Sequence, residues 1–329
     1  MAETFLKKWG KQLSIAIFIL LFLLPLTKMG FKTYLTLTIA GCAMGMMLFL
    51  IASGLSVIFG LMDVINFAHG ACFAFGAYAG FSTFNALQAW VDANSWFLNF
   101  AAFMCAILAA VAVGLVIGVL LERFVVRYVY GSHLFQILIT FGASVVLVEF
   151  IKIIWSPNDE VMAVPLTFQG NWDVFDVIIL RYPIITIFLG LIVYGIIQTV
   201  LKKTKVGKIV RAGVEDAEMV QAMGHNIFLI FTGVFAVGVA FAAMGGLTIS
   251  IWSRSVYPDM GGWYLIFAFI VVIIGGLGSI TGSLVGALIV GLAYNYVAYV
   301  VPWAAAGVNI LIMVIILLIR PTGLFAAGK

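Results

Sequence analysis

Apolar runs separated by short polar breaks recur along the whole chain. Reading between the breaks predicts spans near 13–27, 35–60, 66–86, 97–121, 134–155, 177–201, 227–251, 263–281, 284–301 and 306–320. Such runs match the length at which a helix crosses a hydrocarbon core of about 30 Å, which takes about 18 or more apolar residues. The pairs 35–60 with 66–86 and 263–281 with 284–301 are too long or too close together for simple straight crossings. Glycines interrupt them, so broken or re-entrant helices are expected there. The fold class expected is an all-α integral membrane protein, a polytopic bundle of about 8–10 transmembrane helices forming one domain over 1–329.

Charge placement orients the bundle. Lys7, Lys8 and Lys11 precede the first span, Arg123 and Arg127 follow the fourth, and Lys202, Lys203, Lys205, Lys208 and Arg211 follow the sixth. Basic segments favour the cytoplasm. Ten crossings put all three, the N-terminus, Arg320 and Lys329 on that side. The segment 156–176, with Asp159, Glu160, Asp173 and Asp176, falls on the other. The opening "KKWGKQLSIAIFILLFLLPLTK" has the charged start and apolar core of a signal peptide, but no small-x-small site before Lys28, so a retained first helix is expected.

Composition agrees with this reading: 64% of residues are hydrophobic and 9% charged, against about a quarter charged in soluble domains. The net charge of +4 reflects loop placement and implies no nucleic-acid partner. Cys42, Cys72 and Cys105 lie inside apolar runs and read as buried hydrophobes.

Polar residues inside these runs are the candidates for function. Asp63, Asn66 and His69 are spaced by three and would share a face on a continuous helix. Either Asn66 and His69 cap a helix, satisfying backbone groups freed by breaks at Gly60 and Gly70, or the break lines a solute path. A second glycine-dense break holds Gly275, Gly276, Gly278 and Gly282, and the two segments read as a loosely matched pair. Glu149 and Lys152 read as an interfacial ion pair, and Arg254 and Asp259 as part of a solvated outer loop. Asp63 and Glu149 are the obvious intramembrane carboxylates, too few for an evident ion relay.

In the segment 202–226, Asp216, Met219, Val220 and Met223 fall on one helical stripe, with Glu215, Glu218 and Ala222 on another. A short helix outside the bilayer, stopped at Gly224, is expected. Enzymatic signatures are absent. There is no G-x-x-x-x-G-K-[ST], so the chain is expected not to hydrolyse ATP by itself and to carry no cofactor of its own, and His69, His133 and His225 lack metal-ligand spacing.

Four stretches carry a resemblance: "GLSVIFGLMDVINFAHGACFAFGAYAG", "TKVGKIVRAGVEDAEMVQAMGHN", "YPDMGGWYLIFAFIVVIIGGLGSITGSLVGALIVG" and "IRPTGLF". The chain resembles the membrane-spanning permease subunits of bacterial ABC importers for branched-chain amino acids, a family that includes urea and short-amide permeases, and within it the N-F-A-H-G subunit type. That resemblance implies a single permease domain in the bacterial inner membrane. It implies a second homologous permease subunit, two cytoplasmic ATPase subunits carrying ATP and Mg, a soluble solute-binding protein and surrounding membrane lipid. It also makes 202–226 the ATPase-coupling loop, with Arg211, Glu215, Asp216, Glu218, Met223 and Gly224 at the contact. Glu218 and Gly224 keep the motif's spacing, whereas Met219 and Val220 replace its two alanines. Asp63, Asn66, His69, Gly70 and the glycines Gly275, Gly276, Gly278 and Gly282 become the substrate-pathway residues. Many relatives carry Glu where Ala71 stands and Lys near Ile266, so a less polar solute, or one whose charge the partner handles, is expected here. The rival expectations are a stand-alone proton- or sodium-coupled carrier and a membrane-embedded enzyme.

Overall fold

The computed structural model describes residues 29–174, 177–215, 217–224 and 226–325; the expected first span 13–27, its three lysines, and Asp176, Asp216, His225 and Lys329 lie outside the described residues. Among the described residues, seven helices are long and apolar enough to cross a membrane. These are α1 (Phe31–Met62), α4 (Trp96–Phe124), α5 (His133–Ile154), α6 (Arg181–Lys203), α9 (Ile227–Ser253), α11 (Ile280–Val300), and the run Pro302–Ile319, in which a 3₁₀ turn leads into α12 (Ala305–Ile319). Two shorter helices complete the bundle: α2 (His69–Ala86), of 18 residues, and α10 (Met260–Gly275), of 16. Short helices α3 (Gln88–Val91), α7 (Lys205–Glu215) and α8 (Ala217–Ala222) lie in connections.

Burial sorts the helices into a centre and a ring. Over its apolar window α1 is 83% buried, while α5 is 11% buried. Helix α1 packs on α11, α9, α6 and α10, and α2 is held between α9, α4, α10 and α5. Both central and outer helices are apolar all round, because lipid tails are as apolar as a core and pattern alone does not choose a face. Small residues choose instead. A Cβ on Gly45 would stand 2.8 Å from the Ala287 carbonyl oxygen, so α1 and α11 meet backbone to backbone.

The connections define two ends of the bundle. Glu160–Val161 (β1) pairs antiparallel with Ser255–Val256 (β4), joining the exit of α5 to the exit of α9. Asn171–Val174 (β2) and Val177–Leu180 (β3) form an antiparallel hairpin at the same end. The sixth span therefore starts at Arg181 and not at 177, because the β-branched run Val177–Ile179 pairs as a strand, which an apolar pattern cannot separate from helix. The opposite end carries α7, α8, the exit of α4 and the breaks after α1 and α10.

Candidate functional site

Helix α1 stops at Met62 because Asp63 turns left-handed (φ 52°), its N–H bonding the Phe59 carbonyl at 2.9 Å. The chain then runs irregularly to α2, which begins at His69. Asp63, Asn66 and His69 therefore do not stack on one helical face, since the αL residue redirects the chain between them. Asp63 is exposed, with its carboxylate 3.5 Å from His133 Nε2. Asn66 and His69 are fully buried.

Neither of these buried residues caps the helix. The N-cap of α2 is Ala68, without a side-chain bond. The amides freed at the break are taken by α5: Ile65 N–H donates to Gln136 Oε1 at 3.2 Å and Phe67 N–H to Thr140 Oγ1 at 3.1 Å. The Thr140 hydroxyl donates in turn to the Gln136 carbonyl at 2.6 Å. His69 Nε2 lies 3.0 Å from the Ile51 carbonyl, which fixes it as the protonated nitrogen and leaves Nδ1 a buried acceptor without a partner. The ring rests on Gly54, where a Cβ would come within 2.8 Å of His69 Cε1. Both amide atoms of Asn66 are buried and unpartnered. Gly70 is no break: it lies inside α2, where a Cβ would stand 2.6 Å from the Gly261 carbonyl oxygen at the start of α10.

The second break is built from the expected glycines. Gly276 (φ 102°) and Gly278 (φ 79°) occupy conformations that favour glycine. Ser279 caps α11 through Gly282 N–H at 3.1 Å, and Gly275 and Gly282 touch backbone to backbone. The final "IRPTGLF" stretch closes the end of α10: Leu324 N–H and Phe325 N–H each bond the Ile274 and Gly275 carbonyls, respectively, at 2.9 Å. The two breaks adjoin. A Cβ on Gly60 would lie 2.6 Å from Gly278 Cα, and one turn inward Ser56 and Ser283 share a hydroxyl contact of 2.5 Å. Helices α2 and α10 run side by side at their starts, with ring pairs Phe67–Phe269 and Phe73–Tyr264 each 5.2 Å apart.

The segment expected to couple is helical over Lys205–Glu215 (α7) and Ala217–Ala222 (α8), the residues described on either side of Asp216. Arg211, Glu215 and Glu218 lie on helical backbone. Val220 is buried, whereas Met219 and Met223, expected on the same stripe, are 62% and 71% exposed. Met219 and Val220 are neighbours, which a helix turns about 100° apart, and Met223 follows the last helical residue, Ala222, so one apolar residue turns inward and two outward. Gly224 ends α8 at φ 85°, its N–H on the Gln221 carbonyl at 2.9 Å.

Glu149 and Lys152 form the expected ion pair at 2.8 Å. Arg254 and Asp259 are exposed and make no ion pair with each other. Ala71 is buried and Ile266 is 54% exposed, so the two positions face different surroundings. Cys72 is buried, Cys42 and Cys105 are partly buried, and all three are free thiols. Among the described residues, no group of three or more His, Cys, Asp or Glu is placed to hold a metal.

Glu122 was not among the intramembrane carboxylates expected, yet it is fully buried at the end of α4. Its Oε1 accepts from Tyr130 Oη at 2.6 Å and its Oε2 from Thr232 Oγ1 at 2.5 Å, tying α4, the turn after it and α9 together. Burial first, then the bond to Glu122 and its charge, raise the Tyr130 phenol well above its usual range. Read as the polar rim of a span, "LLERF" hid this role. Gln136 and Thr140 carried a signal that was missed, two polar residues four apart on an otherwise apolar helix. Asn309 on α12 is a second buried amide without a partner.

Comparison with known sequences agrees with this architecture. The profile of the family described as branched-chain amino acid transport system / permease component matches residues 37–319. The chain is 29% identical over 291 residues to the high-affinity branched-chain amino acid transport system permease protein LivH of Salmonella typhimurium, covering 86% of this chain and 92% of that one. It is 28% identical to LivH of Escherichia coli K12 over the same shares. It is also 28% identical to the permease protein BraD of Pseudomonas aeruginosa, over 88% of this chain and 95% of that one. No solved structure matches the chain.

Proposed function

The chain belongs to the family of branched-chain amino acid transport system permease components, and from that premise we propose that it is the membrane gate for a branched-chain amino acid or a closely related small solute. It moves the solute inward in a complex with a second permease subunit, two ATPase subunits and a soluble binding protein. The gate is the pair of breaks that meet at Gly60 and Gly278, with the solute passing the starts of α2 and α10.

The observation that carries this reading is the Asn66 amide. A buried amide without a hydrogen bond costs about 1–3 kcal/mol, and here it stands in the break between two helices, three residues before His69, whose Nδ1 is also buried without a partner. A fold that needed only stability would fill this place with an aliphatic side chain. A gate that offers hydrogen bonds to a polar solute in passing keeps the amide and leaves it free in the closed state.

The end carrying α7, α8, Lys202, Lys203, Lys205 and Lys208 faces the cytoplasm, by the excess of basic residues there. The last described residues reach the same end, where Leu324 and Phe325 pair with the end of α10. Met219 on α8 and Met223 just after it then present an exposed apolar pair to an ATPase groove. Closure of the ATPases would press this arm, which packs on α6, α1 and α9, and shift the helices as a body.

The test is uptake of labelled leucine into vesicles holding the complete complex. ATP-dependent accumulation is expected, with none when this chain is reconstituted alone. Accumulation by the lone chain under a proton or sodium gradient would replace the proposal with a secondary carrier.

A further inference from the structure

At the end of the bundle that carries α7 and α8, a cavity of about 360 Å³ opens between the exit of α4 and the start of α9. Its walls are of two kinds. Arg123 and Arg127 supply two guanidinium groups, while Val119, Phe228 and Leu229 supply an apolar side. Arg127 is held over the Phe228 ring, 4.3 Å from its centroid, which fixes one charge at the cavity wall.

Among the described residues, no carboxylate pairs with Arg123 or Arg127. Their neighbour in sequence, Glu122, is turned into the bundle, with both oxygens occupied by Tyr130 and Thr232. A pair of guanidinium groups in a cavity, with the adjacent carboxylate withheld, fits a planar or tetrahedral oxyanion such as a phosphate.

The apolar walls decide what bears that phosphate. Leu229 is 71% exposed and Phe228 40% exposed, and both continue into the apolar length of α9. A free anion would gain nothing from them, and a soluble protein would have to reach below the headgroup plane. We infer that the groove between α4 and α9 seats an anionic phospholipid, its phosphodiester between Arg123 and Arg127 and the first carbons of a chain against Val119, Phe228 and Leu229. Basic pockets between transmembrane helices at the membrane surface suit this chemistry. The inference requires only that the chain spans a membrane, and it stands apart from the identity of the solute.

The experiment is native mass spectrometry of the full-length chain, released from nanodiscs of equal phosphatidylglycerol and phosphatidylcholine content. Preferential retention of phosphatidylglycerol is expected. The R123Q/R127Q double variant should lose about thirtyfold in that preference, since each basic group near the membrane surface contributes about a fivefold effect. R123Q alone should lose about fivefold. Arg123 makes no hydrogen bond or ion pair within the described residues, so this single change tests the site without disturbing the fold. Equal retention of both lipids by the parent chain, or an unchanged preference in R123Q, overturns the inference. So does displacement of the lipid by inorganic phosphate at equal concentration, which would make the site a free-anion site.

Discussion

Gly60 at the last turn of α1 and Gly278 in the loop before α11 touch through their backbones, with 2.6 Å between a Cβ built on the first and the Cα of the second. Any side chain at position 60 must push the two breaks apart. Gly60→Ala is therefore expected to lower stability by about 1–3 kcal/mol, the usual cost of overpacking. Gly278→Ala should cost about as much for a different reason, since φ 79° is a left-handed conformation for an L residue. Thermal unfolding of the detergent-solubilised chain measures both. A Gly60→Ala protein as stable as the parent would mean that the breaks are not packed as described.

The break after α1 is held by side chains from another helix. Gln136 and Thr140 take the Ile65 and Phe67 amides, and removing either leaves a part-buried donor unsatisfied, at about 1 kcal/mol, the lower end of the cost of a lost partner. Thr140→Val keeps the shape and removes the acceptor. It should destabilise the chain by that amount and speed amide exchange at Phe67, while exchange in α11 stays unchanged. Uniform exchange across the bundle would refute a local role.

Tyr130 gives the stability an alkaline edge. Its phenol is raised well above the usual tyrosine value of about 10, chiefly by burial and then by its bond to Glu122. The folded state therefore binds this proton more tightly than the unfolded state. The stabilisation is complete below about pH 10, the unfolded value, and falls away as pH climbs past it. Tyr130→Phe should flatten that part of the pH–stability curve. Glu122→Ala, which removes the acceptor of both the Tyr130 and the Thr232 hydroxyls, should cost more at neutral pH than Tyr130→Phe.

Much of this arrangement could be read from residue order, and the part that could not has a physical reason. The helices follow apolar length, and the break at Gly276 and Gly278 is visible as a glycine-dense interruption, whose positive φ values only the structure supplies. The roles of Asn66 and His69 were not. Their three-residue spacing suggests a common face only if the chain stays helical, and the αL turn at Asp63 ends the helix first. Likewise Val220 and Met223 share a stripe only if the helix continues through both, and α8 ends at Ala222, one residue before Met223. Glu122 was hidden because a carboxylate at the end of an apolar run looks the same whether it faces water or two hydroxyls supplied from about 8 and 110 residues away.

Met223 separates docking from folding. Because it is 71% exposed, Met223→Glu should change stability by no more than about 0.5 kcal/mol. If α8 docks into the ATPase, the same change places a charge in an apolar contact. It should lower ATP-driven leucine uptake at least about tenfold and weaken co-purification of the ATPase subunits. Normal uptake with intact co-purification would remove α8 from the coupling path.

Asn66 offers the sharpest division between a structural residue and a gate residue. Both of its amide atoms are buried without partners, so in the resting fold the side chain is a net cost. Asn66→Leu replaces it with an aliphatic group of similar size and removes two unsatisfied polar atoms, for which a gain of about 1–3 kcal/mol is expected, less any misfit of the branched side chain. A purely structural position would then yield a protein that is more stable and equally active. If the amide serves the solute in transit, stability and transport move in opposite directions. The melting temperature should hold or rise while uptake by the full complex falls at least about tenfold, with assembly and ATP hydrolysis retained. Asn66→Asp should fail in both respects, because it buries a charge with no cation beside it. Full uptake by Asn66→Leu would place the solute path elsewhere in the bundle.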